Sequence, residues 1–324
     1  MKYIDFNSIA ALHINTEQCL DWIREALQHK DNAVLPEKIS IKFDDDCFFN
    51  TMPCYLPKIN RFGIKVVSRY PAHHKTSGQN DHAPAILADI LLYDSNTGEL
   101  LAIMDGTWIT IMRTGAMTAL SIDLLKKKET ASYSFIGLGN TACASLVCLC
   151  TVLKNKPVSV KLCSYKNQHT VFIKRFSDFN NIHFKVYDSA AALIRDSEVV
   201  ISCVTVAKTD FAHDADYNEG VLVVPVHTRG FQNCDLFFDK VFCDDKAHIN
   251  NFKYFNYFKY CAEIAALLLD KNQGRESEKE RILVYNIGIA LHDIFFASKI
   301  YDLLNTNSGS IVLSSSKPSA RFWL

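Results

Sequence analysis

A short glycine-containing turn holds the residues with the clearest chemical potential. Residues 133–142 read Tyr-Ser-Phe-Ile-Gly-Leu-Gly-Asn-Thr-Ala, so an apolar run enters a G-x-G-x-x-A turn that an apolar, helix-like run leaves. Gly137 permits a tight turn, Gly139 lets backbone approach a pyrophosphate, and Ala142 lets the helix pack closely on the strand. Phosphates then bind the free N–H groups at the helix start. We therefore predict a dinucleotide site, rather than an ordinary glycine turn, with contacts at Gly137, Gly139, Asn140, Thr141 and Ala142.

A second polar group follows the next apolar run, Val158 to Cys163. NAD-selective sites usually place Asp or Glu there, where it accepts a hydrogen bond from the ribose 2′-OH. This chain has Ser164 and Lys166 instead; the hydroxyl can donate to a phosphate and the ammonium can neutralise one. The pattern favours NADP(H), with NAD(H) still possible. The alternative is that Lys166 only faces solvent.

Two cations share one face of a predicted strand over residues 62–70. Because strand side chains alternate, Lys65 and Arg69 lie on the same side as a glycine and a valine. This composition is unusual for a core, and it indicates either an anion-binding surface or a solvated edge of a sheet.

Composition excludes several classes of protein. The formal net charge is zero and 48% of the residues are hydrophobic, so nothing favours a nucleic-acid or membrane-surface partner. No apolar run approaches the ~18 residues of a spanning helix, and the first residues lack the layout of a secretion signal. The eleven cysteines contain no C-x-x-C pair and the histidines lack metal-ligand spacing. We expect reduced thiols, no metal and a cytoplasmic location.

The elements that must position these residues fall into two groups. The first third contains a helix at residues 17–28, capped by Thr16, and then alternating segments that predict an α+β domain with a largely antiparallel sheet. Its strands are predicted at 38–43, 47–52, 62–70, 86–93 and 99–104, with a turn at 94–98.

After a helix at 108–125, strands and helices alternate, which predicts a doubly wound parallel sheet. A final helix at 289–304 precedes a serine-rich tail, residues 307–318, that we expect to be a loose surface segment. The strands of this part are predicted at 132–136, 158–163, 183–187, 199–203, 221–226, 240–243 and 282–285.

Several short motifs form one ordered pattern over nearly the whole chain. They are Met52 to Tyr55, Gly63 to Val67, Asp94 to Gly98, Met104 to Trp108, Met112 to Ala116, the glycine turn, and Gly288 to Asp293. Together they resemble the ornithine cyclodeaminase/μ-crystallin family. The resemblance implies an α/β fold: a Rossmann domain over residues 116–288, and an α+β substrate-binding and dimerisation domain over residues 1–115 that the C-terminal segment 289–324 rejoins. It also implies a homodimer and hydride transfer between a nicotinamide and the C–N bond of an amino or imino acid.

The resemblance also implies roles for individual residues. Lys65 corresponds to the family's substrate-contacting lysine, and Lys38 stands where the family usually has an arginine for the α-carboxylate. Arg113 corresponds to an arginine near substrate and nicotinamide, although a salt bridge on the helix surface is the alternative. Further contacts are predicted for the substrate at Arg69 and Ile287, and for the cofactor at Arg113, Thr114, Thr205, Val226, Asn286 and Gly288.

The main departure from the family lies at residues 224–230. Arg229 stands where cyclodeaminases and some dehydrogenases of the family carry an acid/base aspartate. An arginine cannot deprotonate at usable pH and would repel an ammonium. His227 is near enough in sequence to take the acid/base role, although a lone histidine is more often structural.

These observations favour an NAD(P)-dependent imine or ketimine reductase, or an amino-acid dehydrogenase, with Lys65, Arg113, His227 and Arg229 as catalytic candidates. The surplus of cations favours an acidic amino or imino acid as substrate. Ornithine cyclodeamination is one alternative. A protein that binds NADPH without turnover, as crystallin-type members do, is the other.

Overall fold

The computed structural model describes residues 1–43, 47–70, 86–204, 209–226, 231, 235–306 and 311–313. The chain divides into two compact units. The first consists of Met1–Ile14, Asp31–Thr110 and Ala290–Leu324, and the second of Asn15–Lys30 and Ile111–Ile289. The predicted domain division placed residues 15–30 with the first part of the chain, whereas here they group with the second unit.

The strands alternate with helices mainly in the second half of the chain. Their bounds are β1 Lys2–Ile4, β2 Ile39–Lys42, β3 Phe48–Leu56, β4 Arg61–Arg69, β5 Ile86–Asp94, β6 Leu100–Asp105, β7 Ser132–Ile136, β8 Val158–Cys163, β9 Ile182–Tyr187, β10 Val199–Ser202, β11 Leu222–Pro225, β12 Lys240–Cys243, β13 Cys261–Glu263, β14 Ile282–Tyr285 and β15 Ile311–Val312. The helices are α1 Phe6–Ala10, α2 Thr16–Gln28, α3 Thr107–Leu125, α4 Asn140–Val152, α5 Gln168–Arg175, α6 Ala190–Arg195, α7 Ile264–Leu268 and α8 Ala290–Thr306.

The first unit is built on a seven-stranded sheet in the order β15-β1-β6-β5-β4-β3-β2. Its neighbouring strands are antiparallel except for β1 and β6, which confirms the largely antiparallel sheet. Helix α8 packs on β3, β4 and β5. The approach is close, because a Cβ built at Gly63 would lie 2.6 Å from Ile294 Cδ1. The glycine of β4 therefore lets the last helix cover this face.

The second unit contains an eight-stranded parallel sheet in the order β13-β12-β14-β11-β10-β7-β8-β9. The chain runs outwards from β7 through β8 to β9 and then returns to β10 on the other side of β7. In such doubly wound sheets, ligands bind at the carboxyl ends of the strands where the order reverses. The ends of β7 and β10 are therefore the place where a ligand is expected to bind.

Two local predictions are wrong. Asn15, not Thr16, caps α2: its side chain accepts from the Gln18 backbone N–H, and the Gln18 side chain accepts from the Asn15 N–H. Thr16 instead lies inside the helix, and its hydroxyl is 2.6 Å from that of Thr151 on α4. The tail is also not uniformly loose, since Ile311 and Val312 form β15 and pair with β1.

The cysteines of the described segments are free thiols. No helix among the described residues is both long and apolar enough to cross a membrane. Within the same ranges, no group of three or more His, Cys, Asp and Glu side chains could hold a metal ion.

Candidate active site

The predicted glycine turn joins β7 to α4 at the point where the strand order reverses. Gly137 has φ +82°, in the left-handed region that favours glycine. A Cβ there would lie 2.8 Å from Val204 N and 2.9 Å from the carbonyl carbon of Cys203. The chain leaving β10 thus passes so close to the turn that no larger residue fits at position 137.

Space for a ligand lies two residues further on. Gly139 is the N-cap of α4, its cap forms no side-chain hydrogen bond, and no atom lies within 4 Å of a Cβ built on it. Ala142 is fully buried, whereas Asn140 is exposed and Thr141 half-buried. The first N–H groups of α4 are therefore open to an anion, and the space beside Gly139 fits the approach of a pyrophosphate.

Arg113 is held in a buried contact with the loop that follows β14. Only 6% of Arg113 is exposed, so the alternative of a salt bridge on the helix surface does not apply. A Cβ at Gly288, where φ is +81°, would lie 2.5 Å from Arg113 Nη1. Any side chain at 288 would displace the guanidinium, so the position of Arg113 depends on the glycine at 288.

Asp244, which directly follows β12, connects this strand to the Gly288 loop that contacts Arg113. Its Oδ2 accepts from the Gly288 N–H at 2.7 Å, and the carboxyl is completely buried. Burial raises the pKa of Asp244 to about 6, against the opposing effects of the Gly288 hydrogen bond and the Arg113 charge. The acid therefore fixes the backbone of the Gly288 loop and lies within electrostatic range of Arg113.

Several other predicted site residues of the second unit lie at the carboxyl ends of β11 and β14, whereas Thr114 lies on α3. Asn286 exchanges hydrogen bonds of 3.1 and 3.2 Å with Ser121 of α3, and its N–H donates to Pro225 O. Val226 follows β11 and donates to Ser202 O at 2.9 Å. Ile287, Thr114 and Val226 are half-buried. The structure thus places Val226, Asn286, Ile287 and Gly288 at the ends of β11 and β14.

Ser164 and Lys166 follow β8, which is next to β7. Lys166 is exposed and has φ +42°, and its Nζ lies 5.4 Å from the centre of the Tyr165 ring. Ser164 is half-buried, and its Oγ lies 3.2 Å from Nδ1 of His169. This end of β8 is therefore polar and cationic.

Lys65 of the first unit is buried rather than solvated. Its side chain is 1% exposed, and its ammonium forms an ion pair with Asp293 of α8, which is 0% exposed. Cys54 lies within the same buried layer; burial raises the pKa of its thiol, and the negative charge of Asp293 adds to the effect. The face of β4 that carries Lys65 is therefore core, and the lysine is held there by a carboxylate.

Lys38 and Arg69 lie on the same sheet as Lys65. Lys38 directly precedes β2 and is level with Met52, the residue that pairs with Lys65. Because β2 and β4 lie on either side of β3, two strand spacings, roughly 10 Å, separate Lys38 from Lys65. Arg69 is the last residue of β4, and both it and Lys38 are half-buried. The predictions for Thr205, His227 and Arg229 concern residues outside the described ranges.

Three buried acids in the two units were not assigned a role from the sequence. Asp244 follows a buried strand directly, which is a recognisable signal in a parallel sheet. Asp293 is the last residue of the motif from Gly288 to Asp293, but the sequence alone indicated no role for its side chain. Asp235 accepts from the Tyr285 hydroxyl at 2.5 Å, is 1% exposed, and could not be recognised from its neighbours in sequence.

The chain resembles known proteins over most of its length. The profile of the Ornithine cyclodeaminase/mu-crystallin family matches residues 4–308. Delta(1)-pyrroline-2-carboxylate reductase of Colwellia psychrerythraea is 25% identical over 270 residues, which is 77% of this chain and 83% of that protein. N-((2S)-2-amino-2-carboxyethyl)-L-glutamate dehydrogenase of Staphylococcus aureus is 25% identical over 239 residues, covering 65% and 66% of the two chains.

A solved structure shares the whole fold. Thermococcus litoralis Delta(1)-pyrroline-2-carboxylate reductase, in complex with NADH and L-proline, superposes with a TM-score of 0.84. The two chains are 24% identical, and the match covers 97% of this chain and 100% of the other.

Proposed function

Because the chain belongs to the ornithine cyclodeaminase/mu-crystallin family, we propose that it is a nicotinamide-dependent oxidoreductase acting on the C–N bond of an amino or imino acid. In the reductive direction it converts an imine, or a ketimine, to the amine. The second unit binds the dinucleotide, and the first binds the substrate and forms the homodimer.

The turn between β7 and α4 carries this proposal. It combines a left-handed Gly137, an open surface at Gly139 and an uncapped helix start at the reversal of strand order. These features fit a pyrophosphate. When bound, the cofactor supplies the hydride that reduces the imine carbon.

The chain's own residues supply charge and position. Lys65, as an ammonium fixed by Asp293, can donate hydrogen bonds to a substrate carboxylate but cannot accept one. Arg113, kept in place by the Gly288 loop, provides a second fixed cation. The proton that completes the amine comes from an acid/base group, for which His227 is the candidate from the sequence.

An acidic substrate accounts for the further cations. One α-carboxylate needs one or two of them, whereas Lys38, Arg69 and Arg229 are additional to Lys65 and Arg113. The Staphylococcus aureus relative is by name a dehydrogenase of an L-glutamate derivative. We therefore favour a dicarboxylic amino or imino acid over ornithine.

NADP(H) is the preferred cofactor in this proposal. Ser164 and Lys166 offer a hydroxyl and an exposed ammonium where NAD-selective sites have an acid. Lys166→Glu should narrow or reverse the preference, as measured by dissociation constants for NADPH and NADH. Tighter binding of NADH than of NADPH by the unaltered protein would contradict the preference.

Steady-state oxidation of NADPH with a panel of cyclic and acyclic imino acids tests the activity. Turnover that is fastest with an acidic imino acid is expected. Release of ammonia and proline from ornithine with NAD would identify a cyclodeaminase. Binding of NADPH without turnover of any imine would identify a non-catalytic binding protein.

A further inference from the structure

The end of β8 brings together a serine and a histidine that are five residues apart. The Ser164 N–H donates to Tyr187 O of β9 at 2.8 Å, so Ser164 is fixed at the carboxyl edge of the sheet. Lys166 and Asn167 then adopt φ values of +42° and +59°, which reverse the chain direction. Helix α5 begins at once, and its second residue, His169, turns its Nδ1 back to within 3.2 Å of Ser164 Oγ.

We propose that His169 is a specificity-determining residue for the 2′-phosphate of NADP(H), and that its protonation strengthens this contact through Ser164. The inference rests on the proposed preference for NADP(H), and it assigns to that preference a dependence on pH. The ligand group is a phosphate monoester on the ribose.

The reason is that a hydroxyl group has a single hydrogen. When the imidazole is neutral and Nδ1 accepts, the Ser164 hydrogen points to His169 and cannot reach a phosphate. When the imidazole is protonated, Nδ1–H donates to Ser164 Oγ instead. The Ser164 hydrogen is then available to a phosphate oxygen, and the imidazolium adds a positive charge.

The other charged and titratable groups at this edge come from the turn after β8, from α5 and from the strands β8 and β9. Lys166 and Tyr165 lie in the preceding turn. On α5 itself, Arg175 reaches Asn140 of the glycine turn, with Nη1 3.3 Å from the Asn140 Oδ1. From β8 and β9 come Cys163, Tyr187 and Asp188, and the charge of Asp188 acts on the Cys163 thiol. The Tyr187 hydroxyl donates to Asp196, which pairs with Lys161 and Lys185. The cations outnumber the two acids, so an anion is favoured here.

NADH has no 2′-phosphate. The ratio of its dissociation constant to that of NADPH therefore measures the contribution of the contacts to the 2′-phosphate. Both constants are measured by quenching of protein fluorescence at about pH 6.5 and about pH 8.5, because histidine side chains in general change charge in or near this range. We expect the preference for NADPH to fall about fivefold at the higher pH, the size of one partly exposed charge contact. Titration calorimetry in buffers of different ionisation enthalpy should show proton uptake with NADPH and none with NADH.

His169→Gln should remove the proton uptake and reduce the pH dependence of the ratio to that of the 2′-phosphate itself, whose second pKa is about 6, while the binding of NADH stays unchanged. The matched control is His183→Gln, an exposed histidine near the start of β9, at the opposite end of that strand. A constant ratio in the unaltered protein, or an unchanged pH dependence in His169→Gln, overturns the proposal. In either case a preference for NADPH at both pH values would leave the proposed cofactor standing. A preference for NADH at both would refute the proposed cofactor itself.

Discussion

Lys65 of β4 and Asp293 of α8 form an ion pair that is almost completely removed from solvent, with side chains 1% and 0% exposed. The same strand and helix carry a second pair, Arg61 with Asp302, at 3.2 Å and with side chains 17% and 56% exposed. The two pairs join the same elements but differ in solvent access, which makes one a control for the other.

Breaking the buried pair should cost far more stability than breaking the exposed one. Lys65→Met leaves the Asp293 carboxylate buried without its cation, and we expect a loss of about 3–5 kcal/mol in the free energy of unfolding. Urea denaturation followed by circular dichroism measures it. Arg61→Met should cost less than about 1 kcal/mol.

The double variant Lys65→Met, Asp293→Leu separates charge from packing. It should recover most of the lost stability, since no charge remains buried, but should have little activity. Equal losses in Lys65→Met and Arg61→Met would show that the buried pair has no special energetic role.

Substitutions in the glycine turn should separate cofactor binding from folding. Gly139→Ala adds a methyl group in open space, so we expect stability within about 0.5 kcal/mol of the original. The same methyl group occupies the space predicted for the pyrophosphate, so dinucleotide affinity should fall at least about tenfold, or ~1.4 kcal/mol. Gly137→Ala, at φ +82° and against Val204, should instead lower the melting temperature. Unchanged affinity in Gly139→Ala would exclude this turn as the phosphate site.

Asp235 should make stability depend on pH between about 4 and 6. Burial raises its pKa from 3.8 to about 6, against the Tyr285 hydrogen bond. The folded protein therefore holds the proton more tightly than the unfolded chain. The resulting stabilisation is complete below about pH 4 and is lost as the pH rises through about 6, by roughly 3 kcal/mol.

Asp235→Asn cannot titrate, so its stability relative to the original protein should rise by that amount over the same interval. Denaturant unfolding at a series of pH values measures the difference, with Asp270→Asn at an exposed position as the control. Parallel stability curves for Asp235→Asn and the original protein would contradict the prediction.

The outer strand β2 should form the dimer contact. Ile39 and Ile41 are 64% and 58% exposed, and Phe43, directly after the strand, is 61% exposed. They lie on one face of an edge strand, where apolar side chains and unpaired backbone groups favour association. Light scattering should give about twice the chain mass of 36.6 kDa. Ile41→Lys should give a monomer, whereas Val186→Lys, on the edge strand β9 of the other sheet, should not.

Arg229 is expected to select for a second acidic group on the substrate. Arg229→Ala should reduce kcat/KM for an acidic imino acid about tenfold to a hundredfold, because a buried charge-assisted contact contributes roughly 1.5–3 kcal/mol. A neutral analogue of the same size should lose much less. Equal losses for the two substrates, or ornithine as the best substrate, would contradict the role.

Most of the parallel sheet was predictable because its strands are short, largely apolar segments that alternate with helical patterns; β13, Cys261–Glu263, was not predicted. The predicted strand at residues 132–136 coincides with β7, and the predicted glycine turn follows it at the reversal of strand order. Short strands carried no such pattern: β1 has three residues and β15 two, and both depend on pairing with each other.

Contacts between residues far apart in the chain could not be predicted. The alternation of β4 placed Lys65 on a particular face, but nothing local showed that α8 covers this face with a carboxylate. The sequence predicts two phosphate contacts, Ser164 and Lys166, in the turn after β8. The return of His169 to Ser164 depends on two left-handed residues, and because neither is a glycine the sequence does not indicate this turn. Asn15 and Thr16 are both good capping residues, and sequence alone did not choose between them.

The separation of Lys65 and Asp293, 228 residues apart in the chain, sets an order for events on the ribosome. Synthesis runs from the amino to the carboxyl terminus, so the second unit, which ends at Ile289, is complete before α8 emerges. Until then the lysine of β4 lacks Asp293, and the sheet of the first unit lacks α8. The nascent chain therefore carries a partly apolar sheet without this helix while residues 106–289 are synthesised.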